Sequence, residues 1–259
     1  MPVNAEVEPT DSDAPDDALP INEVFHSLQG EGRLAGVPST FVRTSGCNLR
    51  CWFCDSYHTS WEPTHGWESV DSLLETVESH DTEHVVVTGG EPMMHDRIED
   101  LLDRLGERGY HVTVETNGTV YRDTHVDLAS ISPKLASSTP TEERPPAGGE
   151  ADVGGWAEKH EQDRLQYDTI AALVESYPFQ LKFVVTGRDD MGEIETLLAE
   201  LRGCTTATVR DSDVLLMPEG TTREALAETR ELTAELALEH GYRYTPRLHV
   251  DLWNDAPGT

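Results

Sequence analysis

Short apolar runs alternating with amphipathic stretches constrain this chain more than any other feature. His84–Thr88 (His-Val-Val-Val-Thr) is a continuous apolar run ending in Gly89-Gly90, the pattern of a strand buried on both faces that leads into a turn. The flanking segments Val70–Ser79 and Asp96–Glu107 read as helices. The first places Val70, Leu73, Leu74 and Val77 on one face, the second Ile98, Leu101, Leu102 and Leu105. Ile21–Ser27 and Thr40–Arg43 precede them as strands, and His111–Glu115 and Val126–Ile131 follow. Then come a helix near Leu165–Ser176, a strand at Gln180–Val185, a helix near Met191–Leu201 and a strand at Val214–Met217. Thr221 and Glu224 have capping-box spacing before a further helix, and Arg247–Leu252 reads as a closing strand. Such alternation requires a parallel sheet with helical crossovers, whose sites lie just beyond the strand ends.

Charge narrows the function. The 259 residues carry 19 Lys+Arg against 49 Asp+Glu, a formal net charge of −30, and only Lys134, Lys159 and Lys182 are lysines. A surface of that sign repels phosphate backbones and anionic lipid, which argues against a nucleic-acid or membrane-surface binder. Acid spread along the whole chain fits an enzyme kept hydrated in concentrated salt. No stretch approaches the roughly 18–20 apolar residues of a membrane-spanning helix. The start of the chain lacks secretory character, and a cytoplasmic location is expected. Residues 1–19, with Glu6, Glu8, Asp11, Asp13, Asp16 and Asp17, read as a solvated acidic tail. One domain is expected over 20–255. Within it, 136–163 holds Pro140, Pro145, Pro146 and four glycines, and reads as a flexible insertion with little to anchor it.

Three of the four cysteines lie within Cys47-Asn48-Leu49-Arg50-Cys51-Trp52-Phe53-Cys54. A cluster this tight, in a chain without an export signal, points to metal and not to disulfides. From spacing alone three readings compete. One is an iron–sulfur cubane with one iron left open; another is zinc completed by His58 or a distant residue; the last is plain buried thiols. Cys204, about 150 residues away, is the remaining cysteine. The C-x3-C-x2-C pattern with an aromatic before its last cysteine resembles the radical S-adenosylmethionine (SAM) superfamily. Thr88-Gly89-Gly90-Glu91-Pro92, one strand later, resembles that superfamily's Gly-Gly-Glu motif. Paired glycines allow close backbone approach, and a carboxylate beside them suits an ammonium.

Further segments sharpen the resemblance. Phe25-His26-Ser27-Leu28-Gln29-Gly30-Glu31-Gly32, Phe41-Val42-Arg43, Cys54-Asp55-Ser56, Glu115-Thr116-Asn117-Gly118, Ser132-Pro133-Lys134, Lys182-Phe183-Val184-Val185 and Met217-Pro218-Glu219-Gly220 occur in order. Together they resemble the 7-carboxy-7-deazaguanine synthase family over residues 20–252. The resemblance implies a partial, open TIM-like α/β barrel. It also implies conversion of 6-carboxy-5,6,7,8-tetrahydropterin to 7-carboxy-7-deazaguanine with release of ammonia, by way of a 5′-deoxyadenosyl radical made from SAM. The implied cofactors are a 4Fe-4S cluster on Cys47, Cys51 and Cys54, SAM, and Mg²⁺ at Ser56. SAM would meet Gly90, Glu91, Ser132, Pro133 and Lys134. The pterin would meet Leu28, Gln29, Gly30, Arg43 and Thr88, with Glu115 and Asn117 as further lining. A homodimer and an external electron donor are implied as well. Two other readings are a glycyl-radical-enzyme activase and, in a different class, a zinc-stabilised binding module. Leu28-Gln29-Gly30 and Arg43 speak against the activase. The ending, His249 through Asp255, departs from family members that close on a proline in the substrate pocket.

Overall fold

The computed structural model describes residues 15, 17–146, 153–254 and 256. Residues 1–14 and 16 of the expected acidic tail, and 147–152 of the expected insertion, lie outside the described residues. Among the described residues, nine strands form one sheet: β1 (Ala18–Leu28), β2 (Pro38–Thr44), β3 (Gly66–Ser69), β4 (His84–Gly89), β5 (His111–Thr116), β6 (Leu128–Ile131), β7 (Phe179–Val185), β8 (Val214–Pro218) and β9 (Arg243–Tyr244). Their order is β3-β1-β2-β4-β5-β6-β7-β8-β9. The β1 strand pairs antiparallel with both β2 and β3, and every step from β2 to β9 is parallel. The sheet does not close, so the architecture is the expected partial barrel. Ala18 and Leu19, counted with the tail in the sequence, belong to β1; Leu19 is fully buried, so the fold begins before residue 20.

The helices are α1 (Tyr57–Ser60), α2 (Val70–Glu78), α3 (Ile98–Glu107), α4 (Val153–Asp163), α5 (Tyr167–Ser176), α6 (Asp190–Cys204), α7 (Arg223–His240) and α8 (Leu248–Trp253). Both expected apolar faces are buried: Val70, Leu73, Leu74 and Val77 of α2, and Ile98, Leu101, Leu102 and Leu105 of α3. They pack with Val85 and Val87 of β4 and Val112 and Val114 of β5 in one core. Val86, between them, is buried as well, which is why β4 shows no polar alternation. Truncating one such leucine to Ala costs about 2–5 kcal/mol. Among the described residues, no helix is long and apolar enough to cross a membrane.

Three sequence expectations are corrected. Arg247–Leu252 is not a strand: residues 248–253 form α8, which starts where the Leu248 amide donates to the Gly30 carbonyl at 2.9 Å. Leu248, Val250 and Leu252 alternate with polar residues, and six residues are too few to separate the two periods. The cap of α7 is Thr222, one residue after Thr221, its hydroxyl accepting from the Ala225 amide at 3.2 Å. Residues 153–163, read as part of a structureless insertion, are helical and anchored by fully buried His160. The Gly154-Gly155 pair, costly in a helix, hid α4 from the sequence.

Candidate active site

A cleft of about 1170 Å³ opens at the C-terminal ends of the parallel strands. Arg43 from β2, Thr88 from β4, Glu115 from β5, Ser130 from β6, Lys182 from β7 and Met217 from β8 all reach it. Side chains far apart in sequence therefore meet because parallel strands end on one rim.

One end of the cleft is the cysteine loop. Cys47, Cys51 and Cys54 all line the wall. Among the described residues, no three His, Cys, Asp or Glu side chains converge on one metal-sized point; the cysteines share the wall without being drawn together. Burial pushes the Cys47 thiol up to about 12, with the Glu91 carboxyl adding to the rise, and also raises Cys51 and Cys54. A bound cation reverses this cost, because coordinated thiols lose their protons outright. Donors already face two sulfurs: the Leu49 amide lies 3.4 Å from Cys47 Sγ and the Ser60 hydroxyl 3.1 Å from Cys54 Sγ. Three soft donors on one loop, with N–H and O–H groups facing sulfur, suit an iron–sulfur cluster that keeps one iron free of protein ligand. Cys204 takes no part: it is exposed at the end of α6, with Leu201 O as its contact.

The glycine pair explains how β4 meets this loop. A Cβ on Gly90 would lie 2.1 Å from the Gly46 carbonyl, and one on Gly89, at φ 135°, 2.1 Å from the Thr44 carbonyl. Only glycine allows this approach, which is closed by the Glu91 amide donating to Gly46 O at 2.9 Å. Gly90 lines the cleft. Glu91 does not: it is fully buried, accepting from the Met93 amide (3.0 Å), the Thr116 hydroxyl (2.9 Å) and the Asn117 amide (2.6 Å). Burial raises its pKa to about 7 against these three donors. The Glu91 carboxylate thus ties β5 to the glycine turn, where the sequence pointed to a ligand ammonium. Asn117 and Thr116 stay on the cleft wall, and Asn117 Nδ2 lies 3.0 Å from Asn48 Oδ1 and 4.0 Å from Cys47 Sγ. Ser132 and Lys134 line the cleft, the Lys134 ammonium folding back onto Ser132 O and Oγ at 3.0 and 2.8 Å, while Pro133 is buried behind them.

The other end of the cleft is polar and charged. Gln29 Nε2 donates to Glu115 Oε1 at 3.2 Å and the Thr88 hydroxyl to Glu115 Oε2 at 2.9 Å, so three sequence candidates meet on one carboxylate. Leu28 and Gly30 lie beside them. Gly30 abuts His249, whose Nδ1 would lie 1.9 Å from a Cβ at that position. Arg43 stacks over Phe25 at 5.4 Å, donates to Glu23 at 2.7 Å, and donates through Nη1 to the Ser56 hydroxyl at 2.8 Å. Ser56 in turn donates to Asp55 Oδ1 at 3.2 Å, which places two oxygens side by side at the mouth.

Four residues of this end carried no role in the sequence reading: Glu31, Lys182, Arg247 and Asp55. Glu31 is 2.5 Å from Lys182 and 3.0 Å from Arg247, and Arg247 also bonds Asp55 and the Gly220 carbonyl. Burial would raise the Glu31 carboxyl, but the two cations outweigh it and hold the group far below the usual carboxylate range; Asp55 is held down mainly by Arg247. One signal could have found Lys182. Two of the three lysines in this lysine-poor chain, Lys134 and Lys182, line the cleft.

Residues 41–132 match the Radical SAM superfamily. A protein of Halobacterium salinarum named 7-carboxy-7-deazaguanine synthase is 60% identical over 261 aligned residues that cover all of both chains. One of the same name from Rhodopirellula baltica is 39% identical, over 97% of this chain and 93% of its own. Among solved structures, QueE from Escherichia coli superposes with a TM-score of 0.62 at 26% identity, covering 88% of this chain and 93% of that one. With the cysteine loop, the glycine turn and the polar pocket on one strand rim, the chain belongs to the 7-carboxy-7-deazaguanine synthase family of radical SAM enzymes.

Proposed function

We propose that this enzyme converts 6-carboxy-5,6,7,8-tetrahydropterin to 7-carboxy-7-deazaguanine with release of ammonia, supplying 7-deazapurine nucleosides of tRNA. The observation that carries the reading is the meeting, in one cleft, of the three-cysteine loop with the Gln29–Glu115–Thr88 cluster. When bound on Cys47, Cys51 and Cys54, the cluster together with SAM supplies hydrogen-atom abstraction from unactivated carbon. The chain's own groups bind, orient and exclude water. Glu115, with Lys182 3.8 Å away, accepts from Gln29 and Thr88 and offers a charged edge to the amide and amine donors of a pterin. Arg43 supplies a planar fork suited to the substrate carboxylate. Backbone at Gly90, with Ser132 and Lys134, lines the same cleft as the cysteines and would meet SAM there.

Mg²⁺ belongs to the proposal too. Ser56 and Asp55 offer two oxygens at the mouth, and Mg²⁺ keeps most of its shell as water and substrate oxygen. The hydroxyl is held by Arg43, so one network would set both the cation and the carboxylate it neutralises. The reading further takes the protein as a cytoplasmic homodimer that draws electrons from an external donor.

The test is an anaerobic assay in concentrated KCl, with reconstituted protein, SAM, a reductant and 6-carboxytetrahydropterin, read by mass spectrometry. Formation of 7-carboxy-7-deazaguanine, lost in Cys51→Ala, is expected. Formation of 5′-deoxyadenosine without the deazapurine would refute the substrate and leave the radical chemistry standing.

A further inference from the structure

The segment 136–163 carries none of the motifs that define the family resemblance, yet Ser137, Ser138, Trp156 and His160 within it all contact the cysteine loop or one another. The Arg50 amide, midway between Cys47 and Cys51, donates to His160 Nδ1 at 3.0 Å. That bond fixes the tautomer: the proton sits on Nε2 and is donated to Ser138 Oγ at 2.9 Å. The Ser138 hydroxyl donates in turn to the Leu135 carbonyl at 2.6 Å, and the Ser138 carbonyl accepts from the Trp52 amide at 3.1 Å. The Trp52 indole donates to Ser137 O at 2.7 Å. From the same helix as His160, Trp156 packs under the Arg50 guanidinium at 4.1 Å, which in turn donates to Cys47 O at 2.6 Å and Leu49 O at 2.9 Å.

We infer that His160 is a positioning residue for the iron–sulfur cluster: its ring clamps the Arg50 peptide on one side and Ser138 on the other, and so sets the Cys47–Cys51 span and, through the Ser138 carbonyl, the Trp52 peptide that follows Cys51. The inference rests on the reading of these cysteines as cluster ligands. A short loop carrying three ligands cannot satisfy all its own amides, so an outside acceptor decides how its peptides are turned. His160 is fully buried and engaged through both ring nitrogens, which gives it one orientation. Partners one bond removed from a metal site commonly govern its affinity and electronics as strongly as a ligand's own surroundings do.

The test compares anaerobically reconstituted wild-type protein with His160→Phe, His160→Asn and Ser138→Ala. The readouts are the rate of iron loss to a chelator and the electron paramagnetic resonance spectrum of the reduced cluster. Phe fills the ring's volume but accepts nothing, whereas Asn returns an acceptor oxygen near the Nδ1 position. H160F is expected to lose iron about tenfold faster with an altered spectrum, and H160N to recover part of both. Wild-type iron retention and an unchanged spectrum in H160F would overturn the assignment. If H160F fails to fold, Ser138→Ala decides: faster iron loss supports the clamp, and loss at the wild-type rate overturns it. Wild-type protein that takes up no iron overturns the cluster reading itself, a result distinct from equal retention in the variants.

Discussion

Replacing Lys182 with Met probes the charge network at the far end of the cleft from the cysteines. The Lys182 side chain is 5% exposed, and its ammonium sits 2.5 Å from Glu31 and 3.8 Å from Glu115. Met keeps most of the stem's bulk and removes the charge. Glu31 retains Arg247 at 3.0 Å, but Glu115 is left with the neutral donors Gln29 and Thr88. Removing one member of a buried ion group costs about 3–5 kcal/mol, and the surviving Arg247 contact places this change near the lower value. For a chain of this size that lowers Tm by about 6–12 °C. The Glu31 carboxyl is held below its ordinary value of 4.5, so its contribution is full above that value and fades as pH falls through the folded pKa. The gap between wild type and K182M is therefore largest near neutral pH and closes on acidification. Adding Glu115→Gln to K182M removes the stranded charge and restores part of the loss. Thermal unfolding followed by circular dichroism, from neutral pH downward, reads all three effects. A Tm within about 1 °C of wild type at neutral pH, where the loss should approach 3 kcal/mol, would refute the reasoning.

Three further outcomes are expected. Gly30→Ala drives a Cβ to 1.9 Å from His249 Nδ1, so the variant should bind iron normally and lose deazapurine formation; iron content beside turnover checks this. Gly90→Ala meets the Gly46 carbonyl, which is backbone and cannot swing aside, so cluster incorporation itself should fail, as iron and sulfide analysis would show. Glu91 has a folded pKa raised from 4.5 to about 7, so its stabilising effect is full below 4.5 and declines as pH rises toward 7. Glu91→Gln, which turns an amide donor toward N–H groups, should destabilise at every pH, with the difference from wild type narrowing between those values in chemical denaturation.

Much of the fold was legible because its signals are local. The β4 run is continuous since both faces are covered, and the faces of α2 and α3 repeat at the helical period because each packs on the sheet. The site was legible where one turn holds several of its groups: Cys47, Cys51 and Cys54 on one loop, Gly89 and Gly90 on the next. The orientation of Glu91 was not legible, because a carboxylate beside paired glycines looks the same whether it faces a ligand or the interior. Only the fold turned it inward, to Thr116 and Asn117. The same holds for α8, whose alternation suggested a strand and whose short length left the choice to its contacts.

The sequence by itself determined the strand–helix rhythm and the gathering of three thiols on one loop, because both are written within a few consecutive residues. Tertiary structure alone decided the charge network. Glu31 and Lys182 are 151 residues apart, and Glu31 and Arg247 are 216 apart. No local pattern records such a pairing. It exists because the turn after antiparallel β1 reaches across to β7, where the Arg33 amide donates to Gln180, and α8 folds back onto Gly30; in that low dielectric each buried charge depends on its partner. His160 belongs to the same class: a lone histidine in a glycine-rich stretch acquires its role only when α4 is laid against the loop that it helps to hold.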